Sequence, residues 1–366
     1  MNNHVTVLEI DAKALDHNLN YFKQKLQPET KILAVVKAFG YGSDGVKIAC
    51  FLKDKVDYFA VAYAHEGVAL REANIKTPIL VLNPQIQNLK SIIEFRLEPN
   101  LYNFKIFNEF LKLSDRIPLM NYPIHIKFNT GLNRLGFWHT DIPKILSDLK
   151  TNNHVKVQSL FSHLAASEDL EEQDFTINQI NNFAYIAQQF YKHLGYEPIL
   201  HILNTSGVVN FAKAQFNMVR VGIGLYGFGN DEKETAQLKN THNLKSIISQ
   251  IHLIQPGETV GYNRAFVAKR PTKTATIPVG HADGLSRKLG NKKGYVIIQN
   301  KKAKIIGNVC MDMIMVDITN INCSEGDEVI IFNSQEMINH IADVSETIAY
   351  ETLTAISQRV KKMLKK

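Results

Sequence analysis

Cysteine is nearly absent: Cys50, Cys310 and Cys323 are the only three in 366 residues. They are too few and too scattered for a disulfide framework, and the lack of any C-x-x-C pair argues against a structural zinc site. Cys310 reads better as a packing residue than as a reactive thiol. No apolar run approaches the ~20 residues of a membrane span. The opening MNNHVTVLEIDAKALDHNLNYF has no basic region followed by an apolar one, so a cytoplasmic setting is expected. Lysine and arginine number 42 against 35 acidic residues, a net charge of +7. The local basic runs, such as Lys301-Lys302 and the tail Lys361-Lys362…Lys365-Lys366, are short, and no aromatic-interleaved stripe accompanies them. A nucleic-acid partner is therefore not supported, and the charge reads as a solvated surface that attracts small anions.

What is present is a repeated theme. Short apolar, β-rich runs cover residues 32–37, 58–62, 78–82, 97–102, 123–128, 157–163, 199–204 and 218–223. Stretches with helical period lie between them, among them 44–53, 66–72, 141–150 and 172–194. Continuous apolar strands alternating with helices predict a parallel sheet covered on both faces, and eight such units in about 200 residues favour a closed (β/α)8 barrel of the TIM type. No G-x-G-x-x-G follows the first run, which argues against a dinucleotide fold. The pattern changes at the polar break 229–233. Beyond it, runs at 244–254, 295–299, 303–306, 313–318 and 328–332 alternate in β fashion, and 341–363 reads as a closing helix. At 366 residues, two domains are the default. The expected division is a barrel over 1–235 and a mostly β domain over 236–366, with residues 1–10 able to serve as a strand of the second domain.

Barrels of this kind place their chemistry at the C-terminal ends of the strands. Those ends carry Val36-Lys37-Ala38, Lys127-Phe128-Asn129-Thr130-Gly131 continuing to Arg134, Ser162-His163, Asn204-Thr205 and Arg220-Val221-Gly222-Ile223-Gly224. Singly each has an ordinary explanation: a strand-end lysine snorkels to the rim, a histidine is a satisfied core group, a glycine makes a turn. Together they place an amine, an imidazole, a guanidinium and a phosphate-friendly loop on one face. A lysine amine forms a Schiff base with a carbonyl cofactor if its surroundings favour the neutral form. The cofactor's phosphate needs backbone N–H groups, as at Gly222 and Ile223, and hydroxyls such as those of Thr205 and Tyr41. Arg220 is placed to partner a ring nitrogen.

With these residues in view, the chain resembles the alanine racemases, fold type III pyridoxal-phosphate enzymes, nearly from end to end. The matching segments are Glu9-Ile10-Asp11, Val36-Lys37-Ala38…Tyr41-Gly42, Asn129-Thr130-Gly131…Arg134-Leu135-Gly136, Asn204-Thr205, Arg220-Val221-Gly222, Gly261-Tyr262, Gly280-His281-Ala282-Asp283-Gly284, Cys310-Met311-Asp312 and Tyr350-Glu351. The resemblance implies that Lys37 carries pyridoxal 5'-phosphate and acts as one base. It makes Tyr262, donated by the partner subunit of a homodimer, the second base on the opposite face of the substrate. It implies that Arg220 bonds the pyridine nitrogen and that His163 bridges Arg220 and Tyr262. Arg134 would contact the cofactor's phenolic oxygen, with Lys127 as a carbamate that holds it. Tyr41, Asn204, Thr205, Gly222, Ile223 and Tyr350 would surround the cofactor and its phosphate. Met311 and Asp312 would lie near the substrate carboxylate. The implied role is interconversion of L- and D-alanine, with D-alanine supplied to peptidoglycan.

The chemistry is consistent with that set. Racemisation removes a proton from one face and returns one to the other, so two opposed bases are the minimal design. A tyrosine ordinarily titrates at about 10, so a tyrosine base needs its phenolate stabilised, which an imidazole polarised by Arg220 can do. Arginine stays protonated and is a poor proton donor, so it leaves a bound pyridine ring a weaker electron sink than an acidic partner would. Four positions depart from the family pattern. Asn308 stands for a usual arginine, His281 for a tyrosine, Asn263 for a glycine and Thr205 for a serine. The first three bear on substrate access and range rather than on reaction type. A basic-amino-acid decarboxylase of similar build would place a glutamate where Arg220 stands. A broader-range racemase of this kind is often exported. A non-catalytic pyridoxal-phosphate carrier would lack residues 236–366 altogether.

Overall fold

The computed structural model describes residues 4–117, 119–229 and 231–366; Asn230, at the polar break, and the first three residues lie outside that set. The chain begins with β1 (Val7–Asp11), and eight parallel strands then form a nearly closed barrel. These are β2 (Lys31–Val35), β3 (Tyr58–Val61), β4 (Ile79–Val81), β5 (Glu98–Leu101), β6 (Tyr122–Lys127), β7 (Val155–Phe161), β8 (Ile199–His201) and β9 (Met218–Val221). The order runs β2 to β8 in sequence, and β9 pairs back onto β2 with Lys31 opposite Met218. No regular ladder joins β8 to β9 among the described residues. Asn217 N–H to the Leu200 carbonyl and Arg220 N–H to the Leu203 carbonyl bridge that seam.

All eight apolar runs are barrel strands. β3, β4 and β9 are buried along their whole length, the condition of strands covered on both faces. The helices start where short polar side chains can cap them. Asp11 accepts from the amides of Lys13 and Ala14 at 2.8 and 3.0 Å, and Asp44 accepts from Lys47 N–H at 3.0 Å. Each cap fixes the turn that leads a strand into its covering helix.

The remaining strands are β10 (His242–Ile247), β11 (Gln250–Ile254), β12 (Thr259–Val260), β13 (Phe266–Val267), β14 (Thr272–Ile277), β15 (Tyr295–Ile298), β16 (Lys301–Ile306), β17 (Ile314–Asp317), β18 (Glu328–Phe332) and β19 (Lys361–Lys365). Nine strands make one sheet in the order β11-β14-β17-β16-β15-β18-β10-β1-β19, and β12 and β13 form a small hairpin. β1 lies in this sheet, antiparallel to β10 and parallel to β19.

Two expectations need correction. The run 244–254 is two strands on opposite sides of the sheet. At Ile248 and Ser249 the backbone changes partner, from the Asp327 carbonyl to that of Thr276. The expected closing helix over 341–363 is instead two short helices (Gln335–Ser345 and Ala349–Thr354) followed by β19. Glu346 takes a left-handed φ of 58° and ends the first of these helices. β1 offers an unpaired edge, which the extended segment with inward Val360 and Lys362 covers.

Candidate active site

The strand-end residues converge on one cavity of about 480 Å³. It is lined by Lys37, Tyr41, Lys127, Arg134, His163, Asn204, Thr205, Arg220, Gly222, Ile223 and Tyr350, together with apolar walls from Val35, Leu82, Leu135 and Phe161. Every residue expected from the first 235 positions is there. Tyr350 joins them from the C-terminal segment. Gly42 permits this, because a Cβ at that position would sit 1.9 Å from the Leu353 carbonyl oxygen.

Lys37 follows β2 and opens a left-handed turn: Ala38, Phe39 and Tyr41 have φ of 52°, 54° and 54°. Non-glycine residues in that region cost roughly 1–2 kcal/mol each, so the turn must be held. Glu66 does so by accepting from Ala38 N–H (2.7 Å), Ala62 N–H (2.7 Å) and Tyr63 N–H (3.1 Å). The Tyr41 ring packs on Tyr226 at 4.7 Å. Burial lowers the Lys37 pKa, Arg134 and Arg220 lower it further, and Glu66 opposes them. The amine is thereby moved toward its nucleophilic, neutral form.

Arg220 is 4% exposed. Its Nη1 donates to His201 Nδ1 at 2.7 Å and to the His201 carbonyl at 3.2 Å. Its Nη2 donates to the carbonyls of Ser162 and Ile202, both at 2.8 Å, and to His163 Nδ1 at 3.1 Å. Burial pushes the guanidinium down to about 9, so it remains a cation at neutral pH. Burial first, then Arg220, Lys127, Arg134 and Lys37, hold His163 well below the usual imidazole range. With Nδ1 accepting, the neutral ring carries its hydrogen on Nε2.

Lys127 is buried beside Arg134, Arg220 and Lys37, and burial followed by those three cations brings it down to about 7. Among the described residues no carboxylate lies within ion-pair distance of it. Asn204 caps the short helix Thr205–Asn210, accepting from Gly207 N–H at 3.0 Å and from the Ser167 hydroxyl at 2.7 Å. Thr205 Oγ1 accepts from Gly222 N–H at 3.2 Å, and a Cβ on Gly222 would lie 2.5 Å from Tyr41 Oη. The Ile223 N–H opens the next helical turn, Ile223–Tyr226, with no intrahelical acceptor. These groups form a compact anion cradle. An amine moved toward neutrality, a buried guanidinium and this cradle in one cavity fit a phosphorylated carbonyl cofactor.

Tyr262, Met311 and Asp312 do not line this cavity. Tyr262 is 74% exposed on the sheet domain, held in a turn in which Gly261, Asn263 and Arg264 have φ of 76°, 58° and 50°. Asparagine tolerates that region better than most side chains, which accounts for Asn263. Asn308 Nδ2 donates to the Tyr262 carbonyl at 3.1 Å. Asp312 pairs with Arg359 at 2.7 Å, and Arg359 also binds Asp283 at 3.0 Å. His281 sits on the same surface, its N–H bonded to the Cys310 carbonyl at 2.9 Å. Sequence reasoning missed Glu66 and His201. The position of His201 within the run 199–204, facing inward toward Arg220, was the available signal.

The sequence profile of the alanine racemase N-terminal domain matches residues 10–229, and that of the alanine racemase C-terminal domain matches residues 241–364. "Alanine racemase 1" of Caldanaerobacter subterraneus subsp. tengcongensis is 34% identical over 366 aligned positions, covering 97% of this chain and 93% of that protein. The solved alanine racemase of Clostridium difficile 630 superposes with a TM-score of 0.94 at 30% identity, covering 100% of this chain and 97% of that one. The alanine racemase from Bartonella henselae with covalently bound pyridoxal phosphate gives a TM-score of 0.88 at 27% identity, covering 99% and 100%.

Proposed function

The chain belongs to the alanine racemase family, and from that premise we propose that it interconverts L- and D-alanine with two opposed bases. The observation that carries this reading is the joint presence, in one cavity, of an amine driven toward neutrality and a buried guanidinium that supports a neutral imidazole.

Pyridoxal phosphate, when bound, would supply the electron sink that acidifies the α-carbon. Lys37 would hold it covalently through Nζ, with the phosphate on Tyr41, Thr205, Gly222, Ile223 and Tyr350 and with Asn204 shaping the loop. Arg220 would face the pyridine nitrogen as a cation that resists giving up its proton, which keeps the reaction from running on to decarboxylation or transamination. Lys37 Nζ would move the proton on one face. Tyr262 of a second copy would move it on the other, its phenolate stabilised by the Nε2–H of His163. Arg134 would reach the cofactor's phenolic oxygen with Lys127 beside it, and Met311 and Asp312 of the second copy would approach the substrate carboxylate. The exposure of Tyr262, away from the cavity in its own chain, supports a homodimer with shared sites.

A basic-amino-acid decarboxylase is disfavoured by the cation at Arg220, and a carrier by the presence of the nine-stranded sheet. The D-alanine would serve peptidoglycan assembly in the cytoplasm; no helix among the described residues is long and apolar enough to cross a membrane. Incubation of the holoenzyme with L-alanine should drive optical rotation to zero. Retained rotation, or loss of alanine as a different product, overturns the reading.

A further inference from the structure

Arg220 carries its charge in a buried site with no carboxylate within 4 Å among the described residues, a costly arrangement without compensation. Carbonyl groups supply part of that compensation. The rest of the barrel interior supplies an ordered path to an anion. His201 Nε2 lies 3.0 Å from Ser159 Oγ, Ser159 Oγ lies 2.5 Å from His125 Nδ1, and His125 Nε2 lies 2.7 Å from Glu98 Oε2. His125, Ser159 and His201 are fully buried and Glu98 nearly so. The four come from successive strands, β5, β6, β7 and β8, and Arg220 from β9, so the path crosses the barrel from its floor to its catalytic face.

The hydrogens along this path are determined by what each atom can do. Arginine only donates, so His201 Nδ1 accepts and the ring carries its hydrogen on Nε2. Burial and Arg220 together keep that ring neutral. His201 Nε2–H donates to Ser159, whose other partner is a ring nitrogen, so the hydroxyl donates onward to His125 Nδ1. His125 then carries its hydrogen on Nε2 and donates to Glu98. The reverse orientation would require Arg220 to accept. Glu98 also bonds the Tyr58 phenol, and the His201 ring is stacked flat on Phe161 at 4.7 Å. Both contacts hold side chains of the path in place.

We propose that Glu98, His125 and Ser159 are positioning residues for the active site, acting through His201 to hold the Arg220 guanidinium in one orientation and to supply its distant counter-charge. Two of the guanidinium nitrogens are consumed by this path and by His163 and the carbonyls. Nε, to which no protein acceptor is assigned among the described residues, is then left for whatever ring occupies the cavity. No proton moves along the path; it is static support of the kind that keeps a reacting geometry within a fraction of an ångström.

The role of Arg220 rests on the racemase reading, so the test separates the two. In full-length protein without cofactor, labelled with 15N in the histidine rings, the resonances of His201 and His125 should both report a neutral Nε2–H tautomer at neutral pH. A cationic ring or an Nδ1–H tautomer at either position overturns the proposal on the wild-type chain alone. Ser159→Ala and Glu98→Gln should each shift the His201 nitrogen resonances, although Glu98 does not touch His201. Unmoved His201 resonances in folded variants would also overturn it. In the holoenzyme each variant should lose roughly tenfold in kcat with little change in KM, the kinetic counterpart of one buried hydrogen bond. Glu98→Gln, which keeps an acceptor, should lose less than Glu98→Leu. If the His201 resonances respond as expected but the wild type fails to racemise alanine, the path stands and the proposed reaction falls.

Discussion

The Arg220 guanidinium donates to His163 Nδ1 at 3.1 Å, which commits the neutral His163 ring to carrying its remaining hydrogen on Nε2. That hydrogen is the one that would be available to the Tyr262 phenolate in the proposed shared site. His163→Leu should leave the phenolate unsupported. The ascending limb of kcat/KM against pH should then move to higher pH, and activity at neutral pH should fall about tenfold, the effect expected from one lost hydrogen bond to a charged group. An unmoved limb would separate His163 from Tyr262.

Arg220→Glu tests the ring partner directly. An acidic group there should let a bound pyridine nitrogen hold a proton. Racemisation should slow while pyruvate formed per racemisation event rises, measured by coupled assay. An unchanged ratio would mean that Arg220 does not touch the ring.

Lys127 offers a pH test. Its amine is brought down to about 7 by burial and three neighbouring cations. Above that pH it is mostly neutral, and carbamate formation consumes the neutral amine and releases a proton. Incorporation of 13C from labelled bicarbonate should therefore rise as pH increases through about 7, and Lys127→Ala should abolish the signal. The anionic carbamate would sit among Arg134, Arg220 and Lys37, so weaker Arg134 function without bicarbonate is expected as a raised KM.

Shared sites are tested by complementation. Lys37→Ala should retain no covalently held cofactor after borohydride reduction, and peptide mapping would reveal whether Lys127 substitutes for it. Tyr262→Phe should still bind cofactor but lose about 10²–10⁴ in racemisation, the usual contribution of a general base. Co-refolded Lys37→Ala and Tyr262→Phe chains should regain roughly half of wild-type activity per heterodimer, because one of its two sites has both bases. No recovery would place both bases in one chain.

Local sequence was enough to bring the strand-end residues of the barrel to one cavity, though not Tyr262, Met311 or Asp312. In each βα unit the end of a strand is decided by neighbours a few positions away, so Lys37, Lys127, His163, Thr205 and Arg220 reach the same barrel face once the eight runs are recognised. Local pattern also reveals the change to a β domain. What those residues touch follows from the assembled barrel. Whether His201 meets Arg220, and whether Ser159, His125 and Glu98 line up behind it, depends on inter-strand register across five strands that no local period encodes. The same holds for β19, whose lysine-rich segment fits a helical pattern but extends to cover the open edge of β1, more than 350 residues earlier in the chain. Edge pairing and register are properties of the assembled sheet, where backbone donors and acceptors must find partners; a sequence lists the groups but not which of them will be adjacent.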